Sequence, residues 1–288
     1  MSASTRTLRI ALSLAGYATF ALIVVWGIGA GKFVNPVGGD IPTIFQPAGD
    51  AFRSGQPVYA WKDLPFFYSP PLVIILGVVS WLPTPVLFTG ILVGDVVALR
   101  YLARGWLRVG YLLWCVVLPF EFAAGQINII MAAVLVAAVR ESRTALPALL
   151  TLAKISPVLA VNPAKWRSFL VWTLLLIALT LPSLWLWPQW FDQLLRGWQT
   201  PVGPQIPIPF LIRLPLGLLL VATRTRLGRV TGAVIATPAF YWGSLVLLLA
   251  PVSIGFDLWD ERRERRARPC TPEAHAAGSN LPESVARD

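Results

Sequence analysis

The chain has 288 residues, of which 56% are hydrophobic and only 13% are charged, and its mean hydropathy is +0.66. A soluble domain carries roughly a quarter of its residues charged to cover its surface, so this composition excludes a soluble globular protein. The formal net charge of +10 lies mostly in clusters between apolar segments. Such clusters are typical of membrane topology and do not indicate nucleic-acid binding.

The first predicted element is an apolar segment at residues 8–31. It is long enough to cross a hydrocarbon core of about 30 Å, and it exceeds the roughly 7–15 apolar residues of a signal peptide. We therefore expect an uncleaved transmembrane helix. Arg6 and Arg9 precede this segment, which predicts a cytoplasmic N terminus.

The segment at about 32–68 is more polar and is predicted to be a large first extracytoplasmic loop. It contains three aspartates, Asp40, Asp50 and Asp63. For Asp50 and Asp63 we expect ordinary solvated positions. Aromatic residues at 66–68, together with Tyr59, suit a membrane interface.

Further apolar segments predict an all-α polytopic membrane protein of about eight to ten transmembrane helices. Helices are expected because a chain in lipid must satisfy its backbone amides within each segment, and these segments lack the alternation of barrel strands. One membrane domain at residues 1–256 is predicted. If every basic cluster is cytoplasmic, the segments 69–103 and 145–162 have the wrong parity, so one of them is expected to be kinked, re-entrant or interfacial. The later segments lie at about 69–83, 84–103, 107–123, 127–140, 145–162, 166–187, 206–222 and 230–256.

Residues 257–288 are charged and then small and polar, which predicts a disordered cytoplasmic tail. The single histidine, His275, and one of the two cysteines, Cys270, lie there, whereas Cys115 lies in an apolar segment. This distribution argues against a disulfide framework, a zinc site and a catalytic histidine in the membrane domain. Carboxylates are therefore the remaining candidates for catalytic groups in the membrane domain.

Four short motifs occur in order between residues 40 and 167. The motifs are D-x14-G-x-P-x-Y (Asp40, Gly55, Pro57, Tyr59), F-x-Y-x-P-P (Phe66, Tyr68, Pro70, Pro71), G-Q-x-N (Gly125, Gln126, Asn128) and K-x-x-P (Lys154, Pro157) before Lys165, Trp166 and Arg167. Together they resemble glycosyltransferase family 87, the membrane mannosyl- and arabinofuranosyltransferases that use polyprenyl-phosphate sugars. The chain is shorter than usual for that family, since only roughly 90 residues separate Arg167 from the predicted tail.

The resemblance implies a GT-C-type helical bundle with a large first outer loop and a catalytic aspartate near its start. Asp40 matches that aspartate and is expected to act as the general base. The implied enzyme is an inverting hexosyl- or pentosyltransferase of the plasma membrane. It would transfer mannose or arabinofuranose from a polyprenyl phosphate to an extracytoplasmic glycan or glycolipid.

Several further residues are candidates for substrate binding. Lys154, in an apolar segment, and Arg213 can each pair with the donor phosphate or extend to the membrane surface. Gln126 and Asn128 can hydrogen-bond sugar hydroxyls or tie helices together. The full set of candidates is Tyr59, Tyr68, Glu121, Gln126, Asn128, Lys154 and Arg213.

No cofactor is expected, because the lipid-linked sugar is a substrate. Asp40 has no second acid at ligand spacing, so a dedicated metal site is not supported, although a metal requirement is left open. The expected partners are the donor, the acceptor and membrane lipids, without nucleic acid. Two other functions stay open: an inactive homologue that binds lipid-linked sugar or a partner enzyme, and a small-molecule transporter, which would be expected to show paired half-repeats.

Overall fold

The structure is a computed structural model that describes residues 3–30, 39–60, 66–141, 143–153, 156–199, 208–237 and 242–267. Helices joined by turns make up these ranges, which contain no β-strand, and this confirms the predicted all-α class. The α-helices are α1 (Ala3–Gly29), α2 (Gln46–Arg53), α3 (Pro70–Val79), α4 (Thr84–Ala103), α5 (Trp106–Leu112), α6 (Leu118–Ala124), α7 (Asn128–Arg140), α8 (Ala145–Ala153), α9 (Trp166–Ala178), α10 (Leu186–Gln199), α11 (Phe210–Ala222), α12 (Arg226–Ile235) and α13 (Leu249–Ala267). Shorter helical turns lie at Ile41–Phe45, Ser156–Ala160, Pro163–Lys165, Leu181–Ser183 and Trp242–Leu248.

Three helices in the described part of the chain are long and apolar enough to cross a membrane: Ser4–Gly29, Thr84–Ala103 and Gly243–Ala267. A fourth span is possible if α6 and α7, which meet at an angle of 112°, count as one broken span. The larger bundle of eight to ten spans is therefore not confirmed. Several apolar segments form shorter helices instead, such as α3 and α11.

The segment expected to be an open loop is folded where the structure describes it. Ile41–Phe45 forms a π-helical turn that continues into α2, and Ile41, Phe45 and Ala48 are buried in a core with Phe66. The side chain of Gln46 attaches this segment to the turn between α3 and α4, since its Nε2 donates to the Leu82 carbonyl oxygen at 2.8 Å. The folded segment therefore packs against the turn that precedes α4.

Asp50 differs in part from its predicted role as a solvated loop residue. It is exposed and forms an ion pair with Arg53 at 2.7 Å, but its Oδ1 also accepts a hydrogen bond from Ser80 Oγ at 2.8 Å. Asp63, which we expected to be solvated, lies outside the described residues. Asp50 therefore helps to attach α2 to the end of α3.

Helices α4 and α7 run in the same direction. The middle of α4 lies beside the amino end of α7, since a Cβ on Gly94 would lie 2.9 Å from the Ile130 side chain. At the carboxyl ends of both helices, Arg140 donates to the Tyr101 carbonyl oxygen at 3.1 Å. The intervening segment, predicted as one span at 107–123, consists of the two short helices α5 and α6. A half-buried Tyr111 hydroxyl on α5 donates to the Arg9 carbonyl oxygen of α1 at 2.8 Å.

Helices α11 and α12 form a tight hairpin. A Cβ on Gly217 would lie 2.7 Å from the Gly232 carbonyl oxygen, so the two helices approach closely where both lack a side chain. Thr225 caps α12 by accepting from the Gly228 amide at 2.9 Å.

The chain divides into a large unit, Met1–Ile254, and a C-terminal unit, Gly255–Asp288. Helix α13 continues to Ala267, so the predicted boundary after residue 256 falls inside a helix. Residues 257–267 are helical where we expected disorder, because the charged run is rich in helix-forming Glu and Arg. Residues 268–288 lie outside the described part of the chain.

Candidate active site

The G-Q-x-N segment forms the bend between α6 and α7. Gly125 ends α6 in the left-handed region with a φ of 65°, a conformation that glycine adopts without steric cost. The chain then turns, and α7 begins at Asn128. This bend brings the side chains at the end of α6 next to those at the start of α7.

A hydrogen-bond network of buried polar groups occupies the bend. Asn128 Nδ2 donates to Glu121 Oε2 at 3.0 Å and to Gln126 Oε1 at 2.7 Å. Glu121 and Asn128 are each only 2% exposed. A buried carboxylate is costly unless it is hydrogen-bonded, and here the amide of Asn128 supplies a donor.

Asp40 joins this network from the folded segment that follows α1. It lies just before the π-helical turn, and its half-buried carboxylate accepts a hydrogen bond from the side chain of Gln126. Burial raises the pKa of the Asp40 carboxyl above its usual range, and the bond from Gln126 lowers that pKa by a smaller amount. The first and third sequence motifs therefore meet in space at a carboxylate and an amide.

Tyr68 lies close to both carboxylates. Burial raises the pKa of its hydroxyl, and the negative charges of Asp40 and Glu121 raise it further. Tyr68 also packs against Phe45 and Phe66, with ring centroids 5.9 and 5.4 Å away. An aromatic ring beside polar groups suits the binding of a sugar ring, which has both apolar and hydroxyl-bearing faces.

Tyr59 contacts Tyr68, which in turn lies close to the carboxylates. Its hydroxyl donates to the backbone carbonyl oxygen of Tyr68 at 2.9 Å, and burial raises the pKa of that hydroxyl. Tyr59 therefore holds Tyr68 in place, and its role in substrate binding stays a prediction.

Gly243 is a part of the site that the sequence did not indicate. A Cβ at this position would collide with Glu121 Oε1 and would lie 3.5 Å from Gln126 Oε1. The absence of a side chain lets the Trp242–Leu248 turn pack directly against the network. No nearby motif marks this glycine, and only its contacts in the fold identify it.

Arg213 is one of the two predicted phosphate ligands, and its detailed contacts are with the chain around the end of α12. Arg213 is buried and donates to the carbonyl oxygens of Ile208 at 2.9 Å, Ile235 at 3.1 Å and Thr237 at 2.5 Å. These bonds give it a structural role at the end of α12. Lys154 lies outside the described residues, so its role stays a prediction.

Among the described residues, no group of three or more His, Cys, Asp or Glu side chains is placed to hold a metal ion. Comparison with protein-family models, curated proteins and solved structures found no match to this chain.

Proposed function

We propose that this protein is an integral-membrane glycosyltransferase that moves a sugar from a polyprenyl-phosphate donor to an extracytoplasmic glycan or glycolipid. The observation that carries the proposal is the hydrogen bond between Asp40 and Gln126. These residues come from two motifs of the family 87 pattern that are far apart in sequence. Their contact is what a shared active site requires, and separate solvated positions would not produce it.

The environment of Asp40 supports its assignment as the general base. A base works best when its pKa lies near the working pH, and burial moves the pKa of Asp40 in that direction. The hydrogen bond from Gln126 stabilises the ionised form of Asp40, which is the form that can accept a proton. Asp50, by contrast, is exposed and forms an ion pair with Arg53.

The chemistry assigns one role to each group. Asp40 accepts the proton of the acceptor hydroxyl while that oxygen attacks the anomeric carbon from the face opposite the phosphate. The bond between the anomeric carbon and the phosphate oxygen breaks, and the polyprenyl phosphate leaves with the electron pair. The sugar is transferred with inversion, and the proton remains on Asp40 until solvent removes it.

The other network residues are assigned to sugar recognition. Glu121 and Asn128 present polar atoms beside the base, and Tyr68 supplies an aromatic ring. Lys154 remains the proposed partner of the donor phosphate, because a cation that faces the phosphate stabilises the charge that grows as the bond breaks. Mannose and arabinofuranose are the proposed sugars.

A transfer assay tests this function. Membranes containing the full chain are incubated with a panel of radiolabelled polyprenyl-phosphate sugars and an endogenous acceptor fraction, and the label in the product is counted. We expect product with one donor and none from membranes that lack the protein. Donor binding without product from any donor would favour an inactive binding homologue, and the absence of both would contradict the proposal.

A further inference from the structure

Helix α10 (Leu186–Gln199) is a short, tryptophan-rich helix that the catalytic proposal does not use. Its 14 residues give it a length of about 21 Å, which is less than the roughly 30 Å of a hydrocarbon core. It also carries two charged side chains, Asp192 and Arg196, and charges are costly inside that core. The helix is therefore too short and too polar to cross a membrane.

One side of α10 packs on the folded segment that follows α1. Leu186 and Trp190 lie one turn apart and are both buried. Leu186 belongs to the core that contains Ile41, and Trp190 Nε1 donates to the Phe67 carbonyl oxygen at 2.9 Å. Because Phe67 directly precedes Tyr68, this bond attaches α10 to the segment that carries an aromatic ring of the candidate active site.

A second side of α10 is apolar and exposed. Phe191 is 53% exposed and Leu195 is 56% exposed. They lie four residues apart, on the same face as the exposed Pro188. With about 3.6 residues per turn, Leu195 lies on the opposite side of the helix from Leu186, so this apolar strip faces away from the buried core.

A third side of α10 is charged. Asp192 and Arg196 form an ion pair, with 2.9 Å between the aspartate Oδ2 and the arginine Nε, and both side chains are 57% exposed. Each of them directly follows a residue of the apolar strip, so the charged and apolar strips run side by side along the helix, about 100° apart. Surroundings that are apolar on one side and aqueous on the other suit both strips.

From this arrangement we propose that α10 lies in the membrane interface, with Phe191 and Leu195 among the acyl chains and the Asp192–Arg196 pair among the head groups and water. Interfacial helices combine an apolar face with a charged face, and tryptophan is enriched at this depth. A lipid surface suits the helix better than a second protein, because a protein that covered the apolar strip would also remove water from the adjacent ion pair.

The interfacial position of α10 also sets the position of the candidate active site relative to the membrane. Leu186 shares a core with Ile41, which directly follows Asp40, and Trp190 bonds to the residue before Tyr68. The Asp40 network therefore lies beside the leaflet that α10 contacts. This placement does not depend on sugar transfer by Asp40.

Spin-label accessibility in dioleoyl phosphatidylcholine vesicles tests the proposal on the full chain. Power saturation compares collisions of a nitroxide with oxygen, which concentrates in lipid, and with a soluble nickel chelate, which stays in water. We expect oxygen to dominate on the apolar strip, at a depth of about 5–10 Å into the boundary between head groups and acyl chains, and the chelate to dominate on the charged strip. The four labelled variants, in a background without the two native cysteines, are Phe191→Cys, Leu195→Cys, Asp192→Cys and Arg196→Cys.

Two further labels supply the references. Val93→Cys replaces a residue that is 57% exposed in the middle of α4 and reports on deep lipid, whereas Gln56→Cys replaces an exposed residue of the segment after α1 and reports on water. Chelate dominance at Phe191→Cys, as at Gln56→Cys, would overturn the proposal. Oxygen dominance at Asp192→Cys, as at Val93→Cys, would place α10 within the hydrocarbon and also overturn it. Protection of Phe191→Cys from both reagents would contradict it as well, because protein would then cover the apolar strip.

Discussion

Asp40 is a carboxylate whose surroundings disfavour its charge. Burial raises the pKa of the group, and only the hydrogen bond from Gln126 opposes that effect. A structural aspartate is usually placed where its ionised form is stabilised. A carboxylate whose pKa is raised by its surroundings is instead typical of a group that accepts a proton during catalysis.

Thermal unfolding of Asp40→Asn in detergent should show how much the ionised, buried Asp40 lowers the stability of the protein. The folded chain holds a proton that the unfolded chain has already released, so the free energy of unfolding falls as pH rises through the window between the two pKa values. Asn at this position does not ionise, so the free energy of unfolding of the variant does not fall in this way. We expect the variant to melt at a higher temperature than the unaltered protein at pH 7, and to match it below about pH 3.5. A lower melting temperature at pH 7 would contradict this account.

Gln126→Leu should shift the pH dependence of sugar transfer. The bond from Gln126 stabilises the ionised form of Asp40, so its loss raises the pKa of the base further. We expect the acidic limb of the pH–rate profile to move to higher pH. Gln56→Leu serves as the control, because Gln56 is exposed in the same segment. An unmoved limb would mean that Gln126 does not act on the base.

The sequence motifs name residues, but only the fold shows which of them are in contact. Asp40, Gln126 and Asn128 were identified from motifs, and the structure brings them together. Gly243 could not be found, because a glycine that contributes only empty space leaves no pattern. The hydrogen bond from the Tyr59 hydroxyl to the Tyr68 backbone could not be predicted from the motif that contains Tyr59.

The bend between α6 and α7 positions the network, and Gly125 makes the bend possible. Only a residue that tolerates a positive φ can end α6 there and let the chain turn by 112°. Asn128 then reaches back to Glu121 across the bend. The site therefore depends on backbone geometry as well as on its polar side chains.

Gly125→Ala should lower the free energy of unfolding by about 1–2 kcal/mol, because an L-residue is strained in the left-handed region. Gly90→Ala is the comparison. Gly90 lies inside α4, and no atom from the rest of the fold lies within 4 Å of the place that an alanine Cβ would take, so alanine should stabilise the protein by about 0.5–1 kcal/mol. Urea unfolding in detergent measures both. Changes of the same sign would contradict the special role of Gly125.

Helices were predictable from the apolar segments, but their lengths were not. Hydropathy does not distinguish a full span from two short helices, and residues 107–123 contain α5 and α6 with a turn between them. Similarly, α3 ends at Val79, and the side chain of Gln46 bonds the carbonyl oxygens of Ser80 and Leu82 beyond that end. That contact joins residues more than 30 positions apart, so local sequence cannot reveal it.

Across the large unit, charge is distributed unequally along α4 and α7. Asp40 and Glu121 lie near the amino end of α7, and a groove lined by Arg100, Arg104 and Arg140 lies at its carboxyl end. An α-helix rises about 1.5 Å per residue, so the 13 residues of α7 separate the two regions by roughly 18 Å. Under the positive-inside rule, the basic end is expected in the cytoplasm and the acidic network outside.

Cysteine labelling in intact cells tests that orientation. In a background without Cys115 and Cys270, Gln56→Cys should react with an impermeant maleimide from outside, since Gln56 is exposed in the segment that carries Asp40. Arg143→Cys, at the basic end, should react only after lysis. Ala48 would be a poor position because it is fully buried. The reverse pattern would place Asp40 on the cytoplasmic side.

The central claim is that Asp40 is the base of a sugar transfer, and turnover of Asp40→Asn tests it most directly. Transfer from the donor that the unaltered protein uses is measured together with binding of that donor. General base catalysis contributes about 10²- to 10⁴-fold in rate, so turnover should fall by at least that range while donor binding is retained. Asp50→Asn, in the same segment but ion-paired with Arg53, should cost no more than about a few-fold. Full activity of Asp40→Asn, or equal losses in both variants, would contradict the claim.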